Sequence, residues 1–391
     1  MHPLALIAEL THRCPLHCVY CSNPLELQSR STELSTGVWS RVFLEAAQLG
    51  VLQADFTGGE PLARTDIVDL VKSARAAGLY VHLITSGLPL DEPRLDALIA
   101  AGLDHLQLSF QGAREEIAAE ISGTRSHAQK LRVLAWLKSR RIAVTLNFVI
   151  HRRNIDQLPE MLAIAESSSA TRIEFANVQY YGWAFANREH LLPTRTQLDA
   201  SLAFIQQAQK RLEGRIRVEF VVPDYYAKYP KPCMGGWARK LMLVTPSGEA
   251  LPCHAAKIIP GLSFDNVKDR SLREIWQSSE AFEKFRGQSW MQEPCKSCDR
   301  REQDFGGCRC QAFLLAGDPA ATDPVCSLSP KRQTVDAILT AINSSSTDTP
   351  ACAPPTSHRP DVTILHRPAA RNATPADPPA KSPWLYRPNP S

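Results

Sequence analysis

Cys14, Cys18 and Cys21 stand in the run Thr11-His12-Arg13-Cys14-Pro15-Leu16-His17-Cys18-Val19-Tyr20-Cys21-Ser22-Asn23. Their spacing, Cys-x3-Cys-x2-Cys, restricts what this chain can fold into more than any other stretch. Three thiolates this close on one loop can hold three corners of a cubane iron–sulfur cluster. The fourth iron is then left open to a ligand from outside the chain. Such a loop must be delivered by a rigid element and must stay reachable, so it marks a reaction site rather than a staple. Zinc sites more often combine Cys-x2-Cys pairs with His. That places the cluster reading ahead of a zinc loop or of three reduced core thiols.

The chain has 391 residues, enough for two domains with sizeable cores. Its 44% hydrophobic and 21% charged residues match neither a disordered chain nor a membrane protein. A net charge of +4 is too mild for a dedicated nucleic-acid binder. No uninterrupted apolar run reaches spanning length. Leu4 to Leu10 runs straight into the cysteine loop, so no signal peptide is expected. Eleven cysteines in a leaderless chain imply metal ligation in a reducing cytoplasm rather than disulfides.

Downstream, apolar runs alternate with helical patterns. Residues 4–10, 53–57, 80–85, 104–110, 142–150, 171–177 and 216–222 read as strands. Helices are expected near 37–49, after Ile67 up to Gly78, and at 93–101, 126–140, 155–167 and 196–212. Alternation with short links implies an α/β fold with a parallel sheet and right-handed crossovers. About six units give a partial (β/α)6 barrel rather than a closed eight-stranded one. Function in such folds gathers at the carboxyl ends of the strands. The cysteine loop, Gly58-Gly59-Glu60, Ser86-Gly87 and Gln111-Gly112 each follow a strand, so they should share one rim.

After about residue 225 the alternation weakens and cysteines return, at 233, 253, 295, 298, 308, 310 and 326. Residues 1–225 are thus expected to form the barrel and 226–340 a second, metal-held domain. Residues 341–391 carry eleven of the 29 prolines and read as a flexible tail. In it Trp384-Leu385-Tyr386 is at most a small docking motif and Cys352 a bystander thiol.

With Tyr20 just before its last cysteine, the N-terminal loop resembles that of radical S-adenosylmethionine (SAM) enzymes. The resemblance implies a 4Fe–4S cluster on Cys14, Cys18 and Cys21, with SAM chelating the open iron. Thr57-Gly58-Gly59-Glu60-Pro61 follows in the family's order. Glycines allow close backbone approach, and the resemblance implies that this segment, through Glu60, meets the SAM ammonium. Tyr20, Ser86, Ser109 and Asn147 are further candidates for holding SAM. A strand-end polar residue that merely satisfies a loop is about as good a reading of each of the last three.

The second half resembles the SPASM extension of peptide-modifying members. Cys233, Gly248-x4-Cys253, Cys295-x2-Cys298, Cys308 and Cys326 match its pattern, while Asp304 stands where the family has a cysteine. Carboxylate is a harder donor than thiolate. The resemblance implies two auxiliary Fe–S clusters, one on Cys295, Cys298, Asp304 and Cys326, the other on Cys233, Cys253, Cys308 and Cys310. Asp304 capping the turn before Gly306-Gly307 is the competing reading. His254 is an alternative ligand, or a group behind Cys253.

Over residues 4–335 the stretches Cys14 to Leu27, Phe56 to Pro61 and Gly102 to Gln111 are similar to the PqqA peptide cyclases. That likeness implies a carbon–carbon bond between a Glu and a Tyr side chain of the PqqA precursor peptide, early in pyrroloquinoline quinone (PQQ) biosynthesis. It also implies PqqD as peptide chaperone and an external electron donor such as flavodoxin. Two other readings compete. One is a SPASM-type maturase of another ribosomal peptide. The other is a zinc-stabilised binding protein without catalysis.

Overall fold

The structure, a computed structural model, describes residues 2–344. Strands β1 (Ala5–Glu9), β2 (Gln53–Thr57), β3 (Tyr80–Thr85), β4 (His105–Phe110), β5 (Ala143–Ile150), β6 (Arg172–Asn177) and β7 (Arg217–Phe220) run parallel in sequence order. The crossovers use helices α1 (Thr36–Leu49), α2 (Ile67–Ala76), α3 (Glu92–Ala100), α4 (Glu115–Ser122), α5 (His127–Lys138), α6 (Leu158–Ser167) and α7 (Arg195–Leu212). The Ser35 hydroxyl caps α1 by accepting from Val38 N–H, and Gly50 closes it at φ 97°. Thr194 and Gln197 form a reciprocal capping box on α7.

The strands alternate between two environments. Phe56, Phe110, Phe148 and Phe175 face the helices and are fully buried. Phe110 and Phe148 pair across β4 and β5 with ring centroids 5.0 Å apart, and Phe43 of α1 stacks on Phe56 at 5.2 Å. Each ring so buried stabilises the fold by about 1.5–3 kcal/mol. The opposite face is polar. Asp55 meets His82 at 2.8 Å, His82 stacks on His105 at 4.3 Å, and His105 Nε2 lies 2.9 Å from the Thr145 hydroxyl.

Sequence reasoning missed three features of this frame. Helix α4 occupies a stretch to which the sequence reading gave no element. The sheet also continues past residue 225. Strand β8 (Leu241–Val244) pairs parallel with β1, Ala5 opposite Leu241, and β9 (Ala250–Leu251) adds antiparallel to β8. Short apolar runs at 241–244 and 250–251 carried no neighbouring helix pattern to reveal them. Finally, the tail does not begin at 341. Helix α9 (Arg332–Ser344) runs on, with Ile342 buried. Helix α8 (Arg309–Ala316) begins among the late cysteines. The Trp384-Leu385-Tyr386 and Cys352 readings lie outside the described residues.

The polar face makes stability depend on pH. Burial, then the charges of His82 and Arg172, push His105 down from 6.5 to about 4. The folded chain therefore holds this ring neutral where the unfolded chain would protonate it. Its contribution is complete above 6.5 and is lost as pH falls through about 4. Urea midpoints measured across that window should fall less steeply for His105→Gln than for the parent protein.

Candidate active site and two cysteine centres

The cysteine loop leaves β1 and is clamped by backbone. Gly59 N–H donates to Thr11 C=O at 2.5 Å, and Glu60 N–H donates to Arg13 C=O at 2.7 Å. His17 N–H donates to Ser122 C=O at 2.7 Å and Val19 N–H to Ile121 C=O at 3.1 Å, both at the end of α4. The Asn187 amide donates to Val19 C=O at 2.8 Å. A Cβ on Gly58 would lie 2.2 Å from the Thr11 oxygen, and one on Gly59 2.4 Å from that of Arg13. The glycines thus also permit close approach of the cysteine loop itself.

Cys14, Cys18 and Cys21 line a cavity of about 320 Å³ together with Gly58, Gly59 and Ser86. Ser109 and Gln111 from the end of β4, and Tyr20, complete the near wall. The Leu16 N–H donates to Cys14 Sγ at 3.4 Å. Removal from water, then the neighbouring Cys18 charge, pushes the Tyr20 phenol well above its ordinary value, so it stays protonated.

Glu60 does not line this cavity. Its carboxylate is buried, and four donors reach it: Leu62 N–H at 3.1 Å, the Thr85 hydroxyl at 2.6 Å, Ser86 N–H at 2.8 Å and the Ser86 hydroxyl at 2.5 Å. A carboxylate has about four lone-pair positions, so these are used within the protein. Glu60 thereby fixes the Thr85-Ser86 turn. Asn147 also stands off the cavity lining. It sits opposite Ser109 in register, and its amide donates to Glu174 at 3.3 Å.

Lys130 escaped the sequence reading. Its ammonium donates to Ser109 C=O at 2.9 Å and to the Gln111 side-chain oxygen. Burial lowers it to about 8, against the opposing pull of Cys18 and Glu60. A signal was available: Lys130 falls in the i, i+3, i+4, i+7 row with Val133, Leu134 and Leu137, all buried.

The later cysteines form two groups. Cys253 and Cys310 approach to 3.6 Å between sulfurs. Cys233 contacts both Cys253 and Cys308, and Cys308 contacts Cys310. Four touching thiols cannot all ionise: Cys253 is drawn down by hydrogen bonds from Cys233 and Cys310, while Cys233, Cys308 and Cys310 are pushed up. Cys308 caps α8, accepting from Gln311 N–H. Behind it Asp323, raised to about 7 by burial and then by the Cys308 charge, accepts from Cys308 N–H at 2.8 Å.

The second group, Cys295, Cys298, Asp304 and Cys326, lines a separate pocket. One oxygen of Asp304 accepts from Gly306 N–H at 3.1 Å, the turn-capping contact, while the other lies 3.4 Å from Arg300. Asp304 thus caps the turn and borders the pocket at once. Among the described residues, no three or more His, Cys, Asp or Glu side chains form a group suited to a single metal ion. None of the ten described cysteines forms a disulfide.

The two halves meet at a wall. Asn177, Val178 and Gln179 line the first cavity and also a second of about 250 Å³, which reaches Cys233, Cys253 and Cys308. Tyr181 stands on the second side, its hydroxyl 2.6 Å from the Gln179 oxygen. Glu9, at the end of β1, lies 3.7 Å from His12 and 3.5 Å from His254, beside Cys253. Burial alone would raise Glu9, but those two histidines hold it at about 2.

Comparison with known proteins agrees with this layout. The profile of the radical SAM superfamily matches residues 8–165, and that of an iron–sulfur cluster-binding domain, SPASM, matches 233–299. The PqqA peptide cyclase of Methylobacterium nodulans is 54% identical over 340 residues, 87% of this chain and 90% of that one. That of Gluconobacter oxydans is 54% identical over 335 residues, covering 85% and 93%. In fold alone, Streptococcus suis SuiB bound to S-adenosylmethionine is similar, with a TM-score of 0.70 at 18% identity over 84% of this chain and 78% of that one. So is anSMEcpe with bound AdoMet, with a TM-score of 0.60 at 18% identity over 87% and 96%.

The bonding of Glu60 can be tested by stability. Glu60→Ala would orphan buried donors on Thr85 and Ser86 and should cost about 1–3 kcal/mol in urea unfolding. Unchanged stability would show that the carboxylate does not organise the turn.

Proposed function

The chain belongs to the PqqA peptide cyclase family, within the radical SAM superfamily, and from its own residues we propose how it joins a Glu to a Tyr side chain of the PqqA peptide in PQQ biosynthesis. The zinc-stabilised binder falls away with that membership. Cys14, Cys18 and Cys21 would hold the 4Fe–4S cluster that binds SAM; an all-sulfur donor set on a cavity wall suits iron–sulfur ligation. Cys233, Cys253, Cys308 and Cys310 would hold one auxiliary cluster. Cys295, Cys298, Cys326 and Asp304 would hold the other, with the Asp304 carboxylate as its fourth donor. When bound, these groups supply one-electron chemistry: a 5′-deoxyadenosyl radical from SAM at the first, and uptake of an electron at the auxiliary pair.

The protein's own part is positioning and exclusion of water. Gly58 and Gly59 close the cysteine loop against β2. Ser86, Ser109 and Tyr20 border the space for SAM, Glu60 acts through Ser86, and Asn147 acts from beside Ser109 on the neighbouring strand. Lys130 steadies Ser109 and Gln111. The observation that carries the reading is the wall of Asn177, Val178 and Gln179 common to both cavities. A peptide in the second cavity would present its side chains across that wall to the first while lying beside Cys233 and Cys253. PqqD as the presenting chaperone, flavodoxin as a donor of electrons and a cytoplasmic setting complete the proposal. Ten described cysteines without a disulfide suit a reducing compartment. Among the described residues no helix is long and apolar enough to cross a membrane.

Anaerobic incubation with PqqA, PqqD, SAM and a reductant should give a peptide lighter by two hydrogens, with Glu and Tyr joined in its fragment spectrum. A modified peptide without that bond would favour a maturase of another kind. Cys18→Ala should abolish 5′-deoxyadenosine formation and spare the auxiliary iron; retained cleavage would remove the loop from the chemistry. Asp304→Cys should change the auxiliary iron spectrum, and an unchanged spectrum would leave Asp304 as a turn cap only.

A further inference from the structure

Arg309 lies between Cys308 and Cys310 and is 1% exposed. Its guanidinium donates to the carbonyls of Pro319 at 2.9 Å, Ala321 at 2.8 Å, Gly307 at 3.5 Å and Gly306. Its cationic carbon sits 4.5 Å over the Trp290 ring. Among the described residues, no carboxylate forms an ion pair with it. The nearby Asp323 feels the Arg309 charge without pairing with it: its oxygens accept from the N–H groups of Cys308 and Val325 and from the Gln311 amide. A guanidinium is always charged, and burying one without an opposite charge costs several kcal/mol.

Its surroundings indicate where the opposite charge resides. Through its neighbours in sequence, Arg309 adjoins the group of Cys233, Cys253, Cys308 and Cys310. Gly306, whose carbonyl it holds, lines the pocket of Cys295, Cys298, Asp304 and Cys326, and Ala321 adjoins Thr322 on the same lining.

We propose that Arg309 is the counter-charge common to both auxiliary centres, one fixed cation between them that raises the reduction potential of each. The inference rests on the assignment of those cysteines to iron–sulfur clusters. Reduction adds negative charge to a cluster, and a buried cation nearby favours the more negative state. Arg309 is here a positioning and tuning residue that touches no substrate. It would set how readily both centres accept an electron, without being a ligand to either.

The test is a redox titration of the reconstituted full-length protein, followed by electron paramagnetic resonance, with iron and sulfide counted in each sample. Arg309→Gln with full iron should lower both auxiliary potentials. At fixed potential the reduced-to-oxidised ratio of each should fall about tenfold, which corresponds to about 59 mV for one electron. Arg309→Lys should retain both parental values, since it keeps the charge and loses the planar fork. If Arg309→Gln loses iron while Arg309→Lys keeps iron and potentials, the charge is again supported. Full iron with either potential unmoved in Arg309→Gln overturns the proposal. So does a lysine variant that behaves like the glutamine one. Parental protein without auxiliary iron would instead overturn the cluster assignment on which the proposal rests.

Discussion

The arrangement depends on β1 pairing on both edges. Its partner on one side, β2, ends in the glycines that clamp the cysteine loop. Its partner on the other, β8, comes from the cysteine-rich half of the chain. A single five-residue strand therefore carries the first cysteine group and anchors the polypeptide that carries the others. Parallel pairing matters as much as proximity. It points β8 in the same direction as β1; β9 then runs back antiparallel, and the residues after it place His254 3.5 Å from Glu9 at the end of β1. Glu9 then lies between His12 and His254, a buried anion shared by two otherwise separate loops.

The barrel itself was legible because its physics is local. Strands β1 to β7 and most of the crossover helices follow from apolar periodicity and from glycine or hydroxyl caps, which act within a few residues. The strands β8 and β9 were not legible, since each is short and buried and has meaning only against β1. Helix α4 could have been read. Glu115 and Glu116 suit a helix start, Ile117, Ala118 and Ile121 share a face, and Gly123 closes it at φ 68°.

The site divides along the same line. Ligand spacing within one loop is written in sequence, so the cysteine candidates and the strand-end serines could be named in advance. Which residues face a ligand and which face the protein is decided in three dimensions. Glu60 has the expected position and composition, yet its four hydrogen bonds turn inward. Asn147 lies opposite Ser109, yet it stands outside the cavity lining with its amide on Glu174. Lys130 and Arg309 show the converse. Each is a cation inside a core, visible in sequence only as an oddity in an apolar row or between two cysteines. Their hydrogen bonds to main-chain carbonyls explain how the fold tolerates them.

Helix α9 has a reach that its place in the chain conceals. Val335 and Ile342 are buried in the same small cluster as Val19, from the first cysteine loop, with Tyr20 packed against it. Arg152 holds the Ile342 carbonyl at 2.8 Å, and the Asn343 side chain accepts from Arg195 N–H at 2.9 Å. The last described helix therefore braces the first cysteine loop from behind. Truncation ahead of Val335 would strip the apolar backing from a loop that sits at the opposite end of the described residues.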